Sequence, residues 1–285
     1  MKLYKTIGGI ILQHENAFFM LNHQWDNLIN RDDLYGYLNT VFRKARSIPA
    51  EEAEKLIAHS VLAPVGRQEV WAAGVTYLRS RDARMDEAKD SGGADLYDRV
   101  YEAERPELFF KSLPHRVAGP NQEVYIRRDS TWNVPEPELT LFINTAGNIQ
   151  AYTVGNDVSS RSIEGDNPLY LPQAKAYERS AALGPCLFVT DEKIAGDSLI
   201  EMTIYRNAKL MYRDSAKISR MKRSLTELAG FLYLETDFND GCFLMTGTCL
   251  VPPNDFTLEE NDIVNIAIDH IGTLTNTVSY KPVRL

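Results

Sequence analysis

Val134-Pro135-Glu136-Pro137-Glu138-Leu139-Thr140-Leu141-Phe142-Ile143 is the stretch on which the reading of this chain turns. Pro135 and Pro137 bias Val134 and Glu136 away from helix, so the segment is extended before any tertiary contact forms. In an extended segment, side chains two apart share a face, which places Glu136 and Glu138 together. Asn144-Thr145-Ala146-Gly147-Asn148 carries turn residues, and Ile149-Gln150-Ala151-Tyr152-Thr153-Val154 resumes a strand pattern, so the whole reads as a hairpin. With a turn centred between Ala146 and Gly147, Asp157 falls opposite Glu136, and a bulge at Gly155 would shift this by one residue. Directly opposed residues have Cβ atoms roughly 4.5–5.5 Å apart. Three carboxylates that close repel one another unless one is protonated or a cation sits among them. An all-oxygen ligand set favours Mg²⁺, with Mn²⁺ or Ca²⁺ as alternatives, over zinc. The competing reading from spacing alone is a solvated acidic face.

The 285 residues allow one large domain or a small one joined to a larger one. A formal net charge of −8 argues against nucleic acid as the main partner, because a phosphate backbone is bound through surplus Lys and Arg. No run of about 18 apolar residues exists to span a membrane, and the first residues lack a signal-peptide pattern. A cytoplasmic protein is therefore expected. Cys186, Cys242 and Cys249 lack paired spacing and read as reduced, buried thiols. Residues 1–62 read as a small N-terminal domain, with a helix from Pro49, and Ala63-Pro64-Val65-Gly66 as the boundary to a larger domain over 63–285. Within that larger part, residues 82–105 read as mostly helical, and Glu107–Lys111, Leu199–Tyr205, Asp262–Ile268 and Gly272–Val278 as strands. Ser224-Leu225-Thr226-Glu227 is a capping box opening a helix through Leu234. Strands outnumber helices after residue 100, giving an α+β class with a largely β core.

Five ordered motifs over roughly residues 70–280 resemble the fumarylacetoacetate hydrolase superfamily. They are Glu136-x-Glu138, Tyr152-x-x-x-Asn156-Asp157, Lys175-Ala176-Tyr177-Glu178 through Leu183-Gly184-Pro185, Met245-Thr246-Gly247-Thr248, and Ile271-Gly272-Thr273-Leu274-x-Asn276-x-Val278. The resemblance implies a mixed β-sandwich roll, a divalent cation held by Glu136, Glu138 and Asp157, and a homodimer or homotetramer. Hydrolases of the superfamily carry a histidine and a glutamate in the loop that here reads Gly74-Val75-Thr76-Tyr77-Leu78-Arg79-Ser80-Arg81-Asp82-Ala83-Arg84, and this loop has no histidine. His14, His23, His59, His115 and His270 lie elsewhere and read as structural or surface residues.

Trp71–Tyr77, Arg105–Lys111 and Asn156–Gly165 instead resemble the branch that dehydrates 2-keto-3-deoxy sugar acids. That resemblance assigns proton transfer to Glu107 and Lys175, with their acid and base roles undivided. Lys175 near a cation feels like-charge repulsion and partial burial, which suits a base, and Glu107 is flanked by apolar Leu108, Phe109 and Phe110, which suits an acid. Arg79 and Thr248 are weaker candidates for holding the carboxylate and hydroxyls of a small 2-keto acid. Lys111 and Arg161 read as solvated surface charges or as added positive charge at the site. A hydrolase or isomerase of the same superfamily, or a metal-binding module without catalysis, are the competing readings.

Overall fold

A computed structural model describes residues 1–79, 85 and 99–283. The strands in chain order are β1 (Lys2–Thr6), β2 (Gly9–His14), β3 (Ala17–Leu21), β4 (Arg46–Ile48), β5 (Glu69–Gly74), β6 (Glu107–Ser112), β7 (Val117–Ala118), β8 (Glu123–Ile126) and β9 (Asn133–Val134). They continue with β10 (Pro137–Ile143), β11 (Ile149–Asp157), β12 (Ser159–Ser160), β13 (Ala181–Phe188), β14 (Leu199–Arg206), β15 (Lys209–Lys217), β16 (Cys242–Thr248), β17 (Ile263–Ile268) and β18 (Gly272–Tyr280). Eleven of these strands form one large sheet in the order β4-β3-β2-β1-β13-β11-β10-β16-β5-β6, with β7 beside β13. Five more form a second sheet, β15-β14-β17-β18-β8, which lies against β10, β11 and β13. The expected mixed α+β architecture is thus a sandwich of two sheets. The leading strands are part of it, because β1 pairs with β13 and carries β2, β3 and β4 onto the same large sheet.

Period-two burial explains the layers. Ile200, Met202 and Ile204 of β14, Val264, Ile266 and Ile268 of β17, and Leu274, Asn276 and Val278 of β18 face the large sheet, while the residues that alternate with them face outward. β10 is buried along its whole length, so both its faces are packed. Leu139, Leu141 and Ile143 join the core between the sheets, and Phe142 joins a second core on the opposite face with Phe243, Met245 and the N-terminal Trp25, Leu28 and Leu34. Glu138, two residues apart from Thr140 and four from Phe142, belongs to that second face.

The β10–β11 hairpin is present, and its register is the one expected: Pro137 pairs with Asn156 and Glu138 with Gly155. The turn reaches it by a different route. Ile143 pairs with Ile149, so the turn centres on Ala146, and Gln150 is bulged out before Phe142 pairs with Ala151. The extra residue restores the register. The bulge therefore sits at Gln150 and not at Gly155. Asn144 organises the turn, its Oδ1 accepting from the backbone N–H of Ala146 and Asn148, and Gly147 takes φ +80°. The bulged Gln150 has a role of its own, accepting from the Leu34 N–H and donating to the Asp32 carbonyl.

Other local expectations are met as well. The helix Leu225–Tyr233 opens on the capping box, with Ser224 accepting from the Glu227 N–H and Glu227 from the Ser224 N–H. The helix predicted from Pro49 spans Ala50–Ser60 with Pro49 as its cap. Of the helical stretch expected over 82–105, residues 82–84 and 86–98 lie outside the described residues. Among the described residues no helix is long and apolar enough to cross a membrane.

Candidate active site

One face of the large sheet gathers the site. Beyond the apolar patch of Phe142, Ala151, Phe243, Met245, Val70 and Ala72, the same face continues into Glu138 at the start of β10, Asp157 at the end of β11, Gly247 near the end of β16 and Gly74 at the end of β5. β6 adds Glu107, Phe109 and Lys111, alternate residues of one strand. Glu136 precedes β10 by one residue, and its carbonyl accepts from the Asp157 N–H at 2.9 Å.

One carboxylate oxygen from each of Glu136, Glu138 and Asp157 lies within 4.8 Å of the others, and all three residues are buried. Two glycines make the room. A Cβ on Gly155, opposite Glu138, would lie 2.3 Å from Thr140 Oγ1, and one on Gly247 would lie 2.0 Å from Thr76 Oγ1. Gly247 also sits at φ +98° and donates its N–H to Glu138 at 2.6 Å.

Cations surround the acids. Lys175 closes the helix Leu171–Lys175, whose second residue is Pro172, and its Nζ donates to Glu136 Oε2 at 2.6 Å and Ser159 Oγ at 2.6 Å and lies 3.3 Å from Asp157 Oδ2. Arg161 Nη2 donates to Glu136 Oε1 at 2.7 Å. Lys111 is ion-paired with Asp157 Oδ1. All three are at most 1% exposed, which corrects the reading of Lys111 and Arg161 as solvated surface charges. Docking of β6 and of the segment after β11 removes them from water, and burial at that cost demands partners.

The electrostatics separate the acids. Burial opposes ionisation of Asp157, but the Lys111 and Lys175 ammonium groups overcome it and hold its carboxyl below the usual range. Glu138 goes the other way: burial, then the neighbouring Asp157 and Glu136 charges, push it well above the usual carboxylate range, against weaker help from Lys175 and the Gly247 N–H. A buried carboxyl crowded by two others is the observation that fits a cation, since a positive ion there relieves the repulsion that the protein's own groups leave at Glu138. The donor set is all oxygen and suits a hard divalent ion.

Glu107 pairs with Gly74, and a Cβ on Gly74 would lie 1.8 Å from Glu107 Oε2, so the carboxylate rests on a residue that lines the acidic cleft. Thr248 lines the cleft, its hydroxyl bonded to the Leu250 carbonyl at 3.1 Å. Arg79 is exposed and donates to the Val251 carbonyl at 3.1 Å; it is not among the residues lining the cleft. None of the five histidines lines it either. The loop singled out for lacking a histidine is described from Gly74 to Arg79, and residues 80–84 lie outside the described residues. Val75, which does line the cleft, holds φ +53°, an unusual conformation for a β-branched residue of the kind found at functional sites. Phe109, Ser159, Lys111 and Arg161 were under-read in the sequence; the strand alternation Glu107, Phe109, Lys111 was the available signal for two of them. A larger cleft of about 600 Å³, lined by Tyr125, Arg127, Tyr177 and Lys281 among others, contains none of the acidic triad. The three cysteines are free and buried, and burial pushes the Cys186 and Cys249 thiols up to about 12, which leaves them unsuited to nucleophilic work.

The chain is 48% identical over 218 residues to a probable 2-keto-3-deoxyxylonate dehydratase of Haloferax volcanii, covering 76% of this chain and 74% of that protein. It is 38% identical over 220 residues to the 2-dehydro-3-deoxy-D-arabinonate dehydratase of Saccharolobus solfataricus, with 76% and 74% covered. A solved structure of 2-keto-3-deoxy-D-arabinonate dehydratase complexed with magnesium and 2,5-dioxopentanoate superposes with a TM-score of 0.84 at 30% identity, covering 99% of this chain and 100% of that one. The sequence profile of the fumarylacetoacetate (FAA) hydrolase C-terminal family matches residues 70–279, a span that holds Glu107, the acidic triad and Lys175, and the chain belongs to the fumarylacetoacetate hydrolase family.

Proposed function

We propose that this chain is a magnesium-dependent dehydratase that converts a 2-keto-3-deoxypentonate, such as 2-keto-3-deoxyarabinonate, to 2,5-dioxopentanoate. The observation that carries the reading is a buried Glu136–Glu138–Asp157 triad with Lys175 bonded into it, in a chain 48% and 38% identical to two dehydratases of such acids. The catalytic unit we infer is residues 63–285, with residues 1–62 as the small N-terminal domain whose strands lengthen the same sheet.

Glu136, Glu138 and Asp157 would hold the ion. When bound, a divalent cation supplies a Lewis acid for the carboxylate and ketone oxygens of a 2-keto acid and acidifies the hydrogens on carbon 3. The protein's own part is proton transfer, positioning and exclusion of water. Glu107 and Lys175 divide two transfers between them: one takes a proton from carbon 3, the other gives a proton to the hydroxyl leaving carbon 4. Water is lost across carbons 3 and 4, and tautomerisation then carries the unsaturation to carbon 5 as the aldehyde. Phe109, Val75 and Ala73 form apolar walls, and Lys175 Nζ stands 5.8 Å from the Phe109 ring centre. A dry wall strengthens each charge–charge contact inside the cleft. Thr248, from its place in the cleft, is the residue we assign to the substrate's polar groups; Arg79 would have to leave the Val251 carbonyl to join it. The absence of a histidine among the cleft-lining residues argues against activation of a water for carbon–carbon cleavage.

The family resemblance further implies a homodimer or homotetramer, which sedimentation of the purified protein tests; a cytoplasmic location, inferred from the sequence pattern, is tested by cell fractionation. The function is tested by a screen of the stereoisomeric 2-keto-3-deoxypentonates with Mg²⁺ and with excess chelator. Dehydration of at least one isomer, abolished by chelation, supports the reading. Stoichiometric metal binding without turnover would leave a non-catalytic module, and cleavage of an acylpyruvate without dehydration would make the chain a hydrolase.

A further inference from the structure

Lys111 is a fully buried lysine bonded to three acceptors and absent from the lining of the cleft. Its Nζ is ion-paired with Asp157 Oδ1 and donates to the Val158 carbonyl at 3.0 Å and to the Lys175 carbonyl at 2.5 Å. An ammonium has three hydrogens, so these contacts leave none for a substrate, and Lys111 is not among the residues lining the cleft. Both of its tasks concern the site. By engaging Oδ1 it leaves Oδ2 as the Asp157 oxygen turned toward Lys175. By engaging the Lys175 carbonyl it ties down the end of a five-residue helix, Leu171–Lys175, which is too short to be stable by itself and whose last carbonyls have no partner within the helix. Ser180 Oγ donates to the same carbonyl at 2.7 Å. β6 thereby connects three points of the site through alternate residues: Glu107 against Gly74 of the cleft wall, Phe109 under the Lys175 ammonium, and Lys111 behind both Asp157 and Lys175.

We propose that Lys111 is a positioning residue, a single ammonium that fixes which oxygen of Asp157 faces the cleft and where the backbone of Lys175 stands. The inference rests on the dehydratase reading for its effect on turnover, and on the acidic triad alone for its effect on metal binding. Lys111→Met keeps the stem and removes the three donors. Charge alone would make Mn²⁺ bind more tightly to this variant, because a cation has left the neighbourhood of the triad. Loss of positioning acts in the opposite direction. We expect Mn²⁺, followed by electron paramagnetic resonance, to bind about tenfold or more weaker, as for other residues that orient metal ligands from behind. We also expect kcat to fall by about 100-fold, the scale of a misplacement near 1 Å, with KM changed less than about threefold. Unchanged or tighter Mn²⁺ binding in folded Lys111→Met would overturn the proposal.

Should that variant fail to fold, the wild-type protein answers instead. The Lys111 ammonium hydrogens, observed by ¹⁵N-edited NMR, are expected to exchange slowly with water both without metal and at Mg²⁺ saturation, because positioning requires the three ties to persist. Exchange that accelerates about tenfold on Mg²⁺ saturation, as when opening makes a protected site accessible, would mean that Lys111 yields to the ion, and the proposal fails. Both metal readouts are taken without substrate, so they decide the role of Lys111 even if no 2-keto acid is turned over.

Discussion

Glu107 and Glu138 are the two carboxylates whose chemistry the site separates most clearly. Glu107→Gln removes a transferable proton while keeping size and shape, so turnover is expected to fall by about 10²–10⁴-fold, with Mg²⁺ affinity by calorimetry nearly unchanged because Glu107 is outside the triad. A loss of metal binding in parallel would show that Glu107 serves the ion and not the proton. Glu138 predicts a pH dependence. Its carboxyl is raised in the fold by burial, Asp157 and Glu136, so the metal-free fold is favoured by the protonated form: that stability is complete below the unfolded value of roughly 4.3 and is lost as pH rises through the raised value. A cation must displace this proton. Mg²⁺ affinity is therefore expected to rise with pH across that interval, and calorimetry in buffers of different ionisation enthalpy should show proton release; a buffer-independent enthalpy would contradict it. The triad itself was legible in the sequence from the two-residue spacing of Glu136 and Glu138 and the hairpin that faces Asp157. Lys111 and Arg161 were not, because an isolated charge in a sequence is by default at the surface, and their burial arises from distant segments docking. Arg79, singled out for the substrate, donates to the Val251 carbonyl and does not line the cleft.

At the scale of elements, the hairpin carries the geometry, and its tolerance is narrow. Gly155→Ala would place a Cβ 2.3 Å from Thr140 Oγ1, in an interior with no slack. It is expected to cost about 1–3 kcal/mol by overpacking and to weaken Mg²⁺ binding by separating β10 from β11. Chemical denaturation and calorimetry read the two effects, and a variant as stable and as tightly metal-binding as wild type would show that this strand face is not the scaffold of the triad. Local signals located β6, β10, β14, β17, β18 and the capped helix Leu225–Tyr233, since each depends on alternation, turn residues or a cap within a few positions. The Gln150 bulge escaped because nothing in a strand pattern marks which residue will be extruded; its cause is the distant pairing of Gln150 with Asp32 and Leu34.

For the whole molecule, what the sequence concealed was adjacency. The β1–β13 pairing, which brings the first strands into the large sheet, and the parallel β16–β5 pairing, beyond which Gly247 lies against Ala73 and Thr76, join residues far apart in the chain, and no local pattern encodes them. The same pairings make the cleft depend on the sheet as a whole, so a ligand that binds only the folded cleft should stabilise the entire molecule: at about 100 times its dissociation constant, Mg²⁺ adds about 2.7 kcal/mol. Metal-dependent loss of water from a 2-keto-3-deoxy sugar acid is visible in a single reaction followed by ¹H NMR. Purified protein, Mg²⁺ and a 2-keto-3-deoxypentonate of defined configuration are followed in real time, then with chelator added. The aldehyde signal of 2,5-dioxopentanoate is expected to grow as the carbon 4 proton signal of the substrate disappears, and to stop growing on chelation. Persistence of every pentonate isomer in the presence of metal-loaded, folded protein would contradict the dehydratase reading.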